Sequence, residues 1–119
     1  MYTAADVMTD NVITVTPDIS IKQVVKILYE KKISGVPVVD SNGGMVGVIT
    51  ETDLMGKQQE DLKVNDIMTK SVISVDIDTP IEEISKILID KVIRRVPVTQ
   101  DGKLVGVVSR GDLMKPYLW

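Results

Sequence analysis

Thr50 and Asp53 stand three residues apart at the end of an aliphatic run, Val46-Gly-Val-Ile-Thr50-Glu-Thr-Asp53. Ser109 and Asp112 repeat the arrangement in Val105-Gly-Val-Val-Ser109-Arg-Gly-Asp112. A hydroxyl residue at a helix start accepts from one of the unpaired backbone N–H groups, and an acid three places on can accept from the hydroxyl residue's own N–H. The spacing therefore reads as a capping box with Asp in place of Glu or Gln. The same residues can also bind. Free N–H groups at a helix start attract an anion and the hydroxyl adds a donor, whereas a carboxylate is repelled by an anion but accepts well from neighbouring hydroxyls. The two corners differ in charge: Glu51 follows Thr50 but Arg110 follows Ser109, and Ser34-Gly35 corresponds to Arg94-Arg95. If these positions line the corners, the second is cationic and favours phosphate. The alternative is that Arg94 and Arg95 are solvated or pair with Glu82, Glu83 or Asp90.

Composition narrows the chemistry. The 119 residues contain no cysteine and no histidine, which removes disulfides, thiolate nucleophiles, the usual zinc ligands and any imidazole base. Asp and Glu could do acid–base work, but no pair stands out, so we expect no enzyme and no metal site. A formal charge of −3 argues against an electrostatic nucleic-acid footprint. The chain has neither an apolar stretch near the roughly 20 residues that span a bilayer nor a basic-then-apolar leader, which points to a soluble, cytoplasmic protein. Its length suits one domain with a single shared core.

The elements that must position the corners come from a duplication. Asp6-Val-Met-Thr9 returns as Asp66-Ile-Met-Thr69, and Gly35-Val36-Pro37-Val38 returns as Arg95-Val96-Pro97-Val98. Two copies, residues 1–60 and 61–119, cover the chain, and a unit this long is better read as a half-domain than as a solenoid repeat. In each copy a β-rich stretch (Asn11–Val15, Ser71–Val75) runs into a turn. A helix follows, with Ile21, Val24, Val25 and Leu28, or Ile81, Ile84, Ile87 and Leu88, on one stripe. The first helix is capped by Asp18 or Ser20; the second has Thr79 as N-cap, Pro80 in its first position and Glu82 completing a capping box. A hairpin then turns at Asn42-Gly43 or Asp101-Gly102, and a second helix opens at Asp53-Leu54-Met55 or Asp112-Leu113-Met114, the latter shortened by Pro116. Gly56 to Lys63 reads as helix end and linker. Each half is β-α-β-β-α. Met8, Met55, Met68 and Met114 read as core or interface fillers, and Tyr117-Leu118-Trp119 as a dimer contact in preference to a docked tail.

This order, with Val-Pro-Val before each Gly-x-x-[Ser/Thr]-x-x-Asp and an Asp-x-Met-Thr lead, resembles a tandem pair of cystathionine-β-synthase (CBS) domains, the Bateman module, over essentially the whole chain. The resemblance implies an α/β fold of two repeats packed through their sheets with pseudo-twofold symmetry. It also implies clefts for adenosine-containing ligands (AMP, ADP, ATP or S-adenosylmethionine) and pairing into a disc-like homodimer. No cofactor is then required. On that reading Thr50 and Ser109 meet phosphate and Asp53 and Asp112 meet ribose. The base lies against Ile13, Thr14 and Gly35-Val36-Pro37 in one cleft and against Ile73, Ser74 and Val96-Pro97 in the other, with Arg94, Arg95 and Arg110 adding positive charge. Pro37 and Pro97 also read simply as edge-strand residues. The function implied is a stand-alone regulatory module, such as an energy sensor, signalling to a separate effector. A ligand-free scaffold, or the nucleic-acid binding known in some members, here through Arg94, Arg95 and Arg110, are the alternatives.

Overall fold

The computed structural model describes residues 1–57 and 61–119. The elements in chain order are α1 (Ala4–Val7), α2 (Ile21–Lys31), β1 (Gly35–Val39), β2 (Met45–Thr50), α3 (Glu51–Leu54), α4 (Val64–Ile67), β3 (Val75–Asp76), α5 (Ile81–Asp90), β4 (Arg95–Gln100), β5 (Lys103–Ser109) and a C-terminal 3₁₀ helix, Asp112–Leu118. The linker expected between the copies includes residues 58–60, which lie outside the described residues.

Two compact units form, and neither coincides with one repeat of the text. Ile13–Val72 makes one; Met1–Val12 joins Ile73–Trp119 to make the other. Each has its own apolar cluster instead of the single shared core expected from length. In the first, Val15, Ile21, Val24, Leu28, Val36, Val38, Ile49, Leu54 and Val64 are buried together; in the second, Ala4, Val7, Val75, Ile84, Leu88, Val96, Val98 and Val108.

Within the first unit, β1 and β2 pair antiparallel, and their burial alternates because successive side chains leave opposite faces of a strand. α2 covers the apolar face with Ile21, Val24 and Leu28. Val25, expected on the same stripe, is exposed, and Ile27 packs partly against the core. Ser20, the latter of the two expected caps, starts α2: its Oγ accepts from the Gln23 N–H at 3.2 Å and Gln23 Oε1 accepts from the Ser20 N–H at 3.0 Å. In the second unit the expected cap differs. Pro80, not Thr79, is the N-cap of α5, because the Thr79 hydroxyl is used in the preceding turn, where it accepts from the Asp76 N–H at 3.1 Å. The hairpins turn as expected: Asp101 and Gly102 both have positive φ (53° and 79°), whereas the longer first loop has only Gly43 there, at 83°.

The β-rich leads are shorter as strands than expected. Val15 makes a single parallel bridge to Val38, and β3 is two residues long. Proline explains the limit. Val15 N–H donates to the Pro37 carbonyl at 3.1 Å and Val39 N–H to the Val15 carbonyl at 2.9 Å. The next rung of that ladder would run from residue 37 to the Ile13 carbonyl, and Pro37 has no N–H to supply it. Pro97 stands at the matching place beside β3, whose register pairs Val75 with Val98.

The opposite edge of each sheet is closed by the Asp-x-Met-Thr segment that leads into the other copy in the sequence. Thr69 and Val48 exchange two backbone bonds of 2.9 Å, as do Thr9 and Val107. In the second unit Ala4 and Ala5 N–H donate to the Thr79 and Ile77 carbonyls; in the first, Val64 and Asn65 donate to those of Ile19 and Pro17. Asp6 and Asp66 accept from the N–H of Thr3 and Lys63 and so fix the single turns α1 and α4. Met68 and Met8 lie over Gly47 and Gly106, half-buried fillers as expected, while Met55 and Met114 are exposed.

Those glycines have no room for a side chain. A Cβ on Gly47 would come within 2.8 Å of the Thr69 carbonyl oxygen, and one on Gly106 within 2.6 Å of Met8 Sδ and 3.0 Å of the Thr9 carbonyl oxygen. Gly47→Ala and Gly106→Ala should each destabilise the protein by about 1–3 kcal/mol, read as a lower urea midpoint, while Ser41→Ala in the exposed first turn leaves it unchanged.

Candidate functional site

The expected residues of each corner fall within one unit: Ile13 to Asp53 in the first, Ile73 to Asp112 in the second. In the first, Thr50 is the N-cap of α3. Its N–H and hydroxyl donate to Asp53 Oδ2 at 2.9 and 3.2 Å, and the Asp53 N–H donates back to Thr50 Oγ1 at 3.5 Å. The capping reading of the motif is thus present. Glu51 N–H donates to the Ser34 carbonyl, and α3 is a single turn, so little dipole and few free N–H groups remain at this start. Asp53 Oδ1 accepts from the Thr69 hydroxyl at 3.0 Å.

The second corner repeats these bonds with one addition, although the N-cap of the 3₁₀ helix that follows is Gly111, not Ser109. Ser109 N–H and hydroxyl donate to Asp112 Oδ2 at 2.9 and 3.1 Å, the Asp112 N–H returns to Ser109 Oγ at 3.2 Å, and the Thr9 hydroxyl donates to Asp112 Oδ1 at 3.1 Å. Lys115 Nζ then lies 2.9 Å from Asp112 Oδ1 and donates to the Val7 carbonyl at 2.8 Å. Asp112 is the one buried charged residue among those described. Burial pushes its carboxyl upward. The Lys115 ammonium and the bonds from Ser109 and Thr9 together outweigh that and hold it below the ordinary value of 3.8.

Ile13, Thr14, Ile73 and Ser74 lie exposed just before the Val15 bridge and β3. Val36 and Val96 are buried in the core, so they offer a ligand backbone only. Gly35 faces Thr50: a Cβ there would meet Thr50 Cγ2 at 3.0 Å. Serine lacks that methyl, and the matching pair is Arg95 opposite Ser109. Arg94, Arg95 and Arg110 are exposed, and neither Arg94 nor Arg95 forms an ion pair with Glu82, Glu83 or Asp90 among the described residues. Arg110 Nε donates to the Ile93 carbonyl at 3.3 Å, which lays its guanidinium along the loop before β4. A cavity of about 330 Å³ in this unit, lined by Ile81, Glu82, Ser85, Leu113, Pro116 and Tyr117, includes none of the expected ligand residues. At the C-terminal tail Trp119 meets Tyr2 edge-on, with ring centroids 5.1 Å apart, while Tyr117 and Leu118 stay exposed.

Sequence reasoning missed Thr9, Thr69 and Lys115. The first two were visible as the invariant end of both Asp-x-Met-Thr segments, the third only as a lysine one turn after Asp112. Because the folded Asp112 carboxyl sits below its ordinary value, its contribution is present above pH 3.8 and is lost as pH falls through the lower folded value. Asp112→Asn should lose about 1–3 kcal/mol at pH 7, and the gap to wild type should narrow below pH 4 in urea titrations.

The CBS domain model matches residues 4–60 and 64–118. CBSX2, a chloroplastic CBS domain-containing protein of Arabidopsis thaliana, is 31% identical over 152 residues, spanning 98% of this chain and 64% of its own length. The inosine-5'-monophosphate dehydrogenase of Methanocaldococcus jannaschii is 33% identical over 113 residues, which is 94% of this chain but only 23% of the dehydrogenase. The chain thus spans less than two thirds of either relative. Among solved structures, CBSX2 in complex with AMP superposes with a TM-score of 0.88 at 34% identity, covering 99% of this chain and 97% of that one. The CBS domain pair of protein MJ0100, in complex with 5'-methylthioadenosine and S-adenosyl-L-methionine, gives 0.81 at 30% identity, covering 98% and 96%. With both copies matched and the duplicated corners in place, this chain belongs to the CBS family as a tandem CBS domain pair.

Proposed function

We propose that the chain is a regulatory module whose corners take an adenosine-containing ligand and report its presence to a separate effector. The observation that carries this is the likeness, over almost the full length of both chains, to CBSX2 in complex with AMP. The local chemistry agrees with it. At the first corner the prolyl nitrogen of Pro37 leaves the Ile13 carbonyl without the donor a strand would supply, so an adenine amino group can take that place. The exposed Ile13 and Ile73 side chains offer apolar contact to a base. Asp53 and Asp112 are the candidates for ribose hydroxyls, and Thr50, Ser109 and the exposed arginines for phosphate. Signalling then requires that the ligand bind one pose of the module better than another, since equal affinity for both shifts nothing.

Thermal denaturation with AMP, ADP, ATP, S-adenosylmethionine and NADH tests this reading. A ligand at 100 times its Kd adds about 2.7 kcal/mol, on the order of 10 °C in Tm for a chain of this size. No shift with any of the five leaves the scaffold alternative. For the homodimer, exposed Val25 and Tyr29 on α2 and Ile89 and Val92 at the end of α5 supply apolar surface for a second copy. Tyr29→Glu combined with Ile89→Glu should then sediment as a monomer where the wild type sediments as a dimer; identical sedimentation overturns the pairing.

A further inference from the structure

We propose that Lys115 closes the second corner to a ribose, so that the pair takes one adenosine ligand per chain, at the corner of Asp53. The inference rests on the adenosine reading above and goes beyond it by naming the residue that makes the two copies unequal. A carboxylate offers about four lone-pair positions. Those of Asp112 are all taken: Ser109 N–H and hydroxyl on Oδ2, Thr9 hydroxyl and Lys115 ammonium on Oδ1. The group is also buried, so a sugar hydroxyl would have to displace an ammonium from a shielded carboxylate. Lys115 is itself held by the Val7 carbonyl and does not swing away freely.

Asp53 is built on the same frame and left more open. Among the described residues Thr50 takes Oδ2 and only the Thr69 hydroxyl takes Oδ1, so one lone pair has no donor from them and another is held by an exposed threonine that can rotate aside. The residue in the place of Lys115 is Gly56, which has no side chain to send back. A ribose diol therefore finds two acceptor positions at Asp53, whereas at Asp112 rotation of the equally exposed Thr9 frees only one, because Lys115 keeps the other. This ranks the corners opposite to the order expected from Arg94, Arg95 and Arg110, which attract phosphate but do not replace the ribose acceptor.

Isothermal titration with AMP decides it. Wild type should bind one AMP per chain. Asp53→Asn should weaken that event by about tenfold or more. Lys115→Met, which keeps the aliphatic stem, should raise the stoichiometry to two, with Lys115→Gln as the second variant should the first fold poorly. Two AMP per wild-type chain, an event that survives Asp53→Asn unchanged, or a folded Lys115 variant that still binds one, each overturns the inference while leaving the adenosine reading standing. No binding by any variant overturns both.

Discussion

One carboxylate in each unit holds together elements that local forces would not. Asp53 and Asp112 each accept from the last residue of a strand, return an N–H to that residue's hydroxyl at the entry to a short helix, and accept from a threonine brought in from a distant segment. A helix of a single turn, such as α3, is far below the length at which helix formation sustains itself. Its existence depends on this capping, and the cap depends on Thr69 being pinned beside β2 by its reciprocal bonds with Val48. The acid, the short helix and the edge segment form together or not at all. The place where a ligand could bind is thus also a place where the fold is fastened, and a change in occupancy has a direct physical route to the position of the Asp-x-Met-Thr segment.

The prolines act on the other edge. A parallel ladder beside β1 would run on past Val15 if residue 37 carried an N–H, and the Ile13 carbonyl would then be consumed by the sheet. Proline stops the ladder after one bridge in the first unit and leaves a two-residue strand in the second. An interrupted ladder leaves Ile13 and Thr14 exposed and outside the sheet. The edge-strand reading of Pro37 and the proposed ligand reading therefore rest on the same feature, the absence of one backbone donor.

Much of this was legible in the chain. The stripes of α2 and α5 were clear because they repeat at helical spacing against a polar face, and the hairpins because Asn-Gly and Asp-Gly favour the left-handed turn. Thr79 misled because its hydroxyl has a second use one turn earlier, which propensity does not distinguish. The strand at Asn11–Val15 was overestimated because its limit lies in a residue more than twenty positions away. What no local pattern reveals is that Met1–Val12 belongs with the second copy: the contacts of Thr9 with Val107 and Asp112 span about a hundred residues and leave only a repeated Asp-x-Met-Thr as their trace. The hydroxyl-acid corners were visible, but their capping and ligand readings use the same atoms, so spacing alone does not separate them.

Duplication then allows the copies to divide that labour. A side chain at Gly35 would crowd the Thr50 methyl and the Ile49 carbonyl, whereas Arg95 pairs opposite Ser109, which has no methyl. Gly56 leaves Asp53 as an acceptor with capacity to spare, whereas Lys115 supplies Asp112 with a permanent cation. In the second unit that cation also ties the 3₁₀ helix to the carbonyl of Val7, and the Tyr2–Trp119 contact secures the same two chain ends. A buried carboxylate is tolerated only when its charge and lone pairs are satisfied, and the second copy satisfies them internally. The first meets less of that requirement, because Asp53 is less buried and needs less. The second acid is thus satisfied within its own unit, while the first, among the described residues, keeps acceptor capacity that the second has spent.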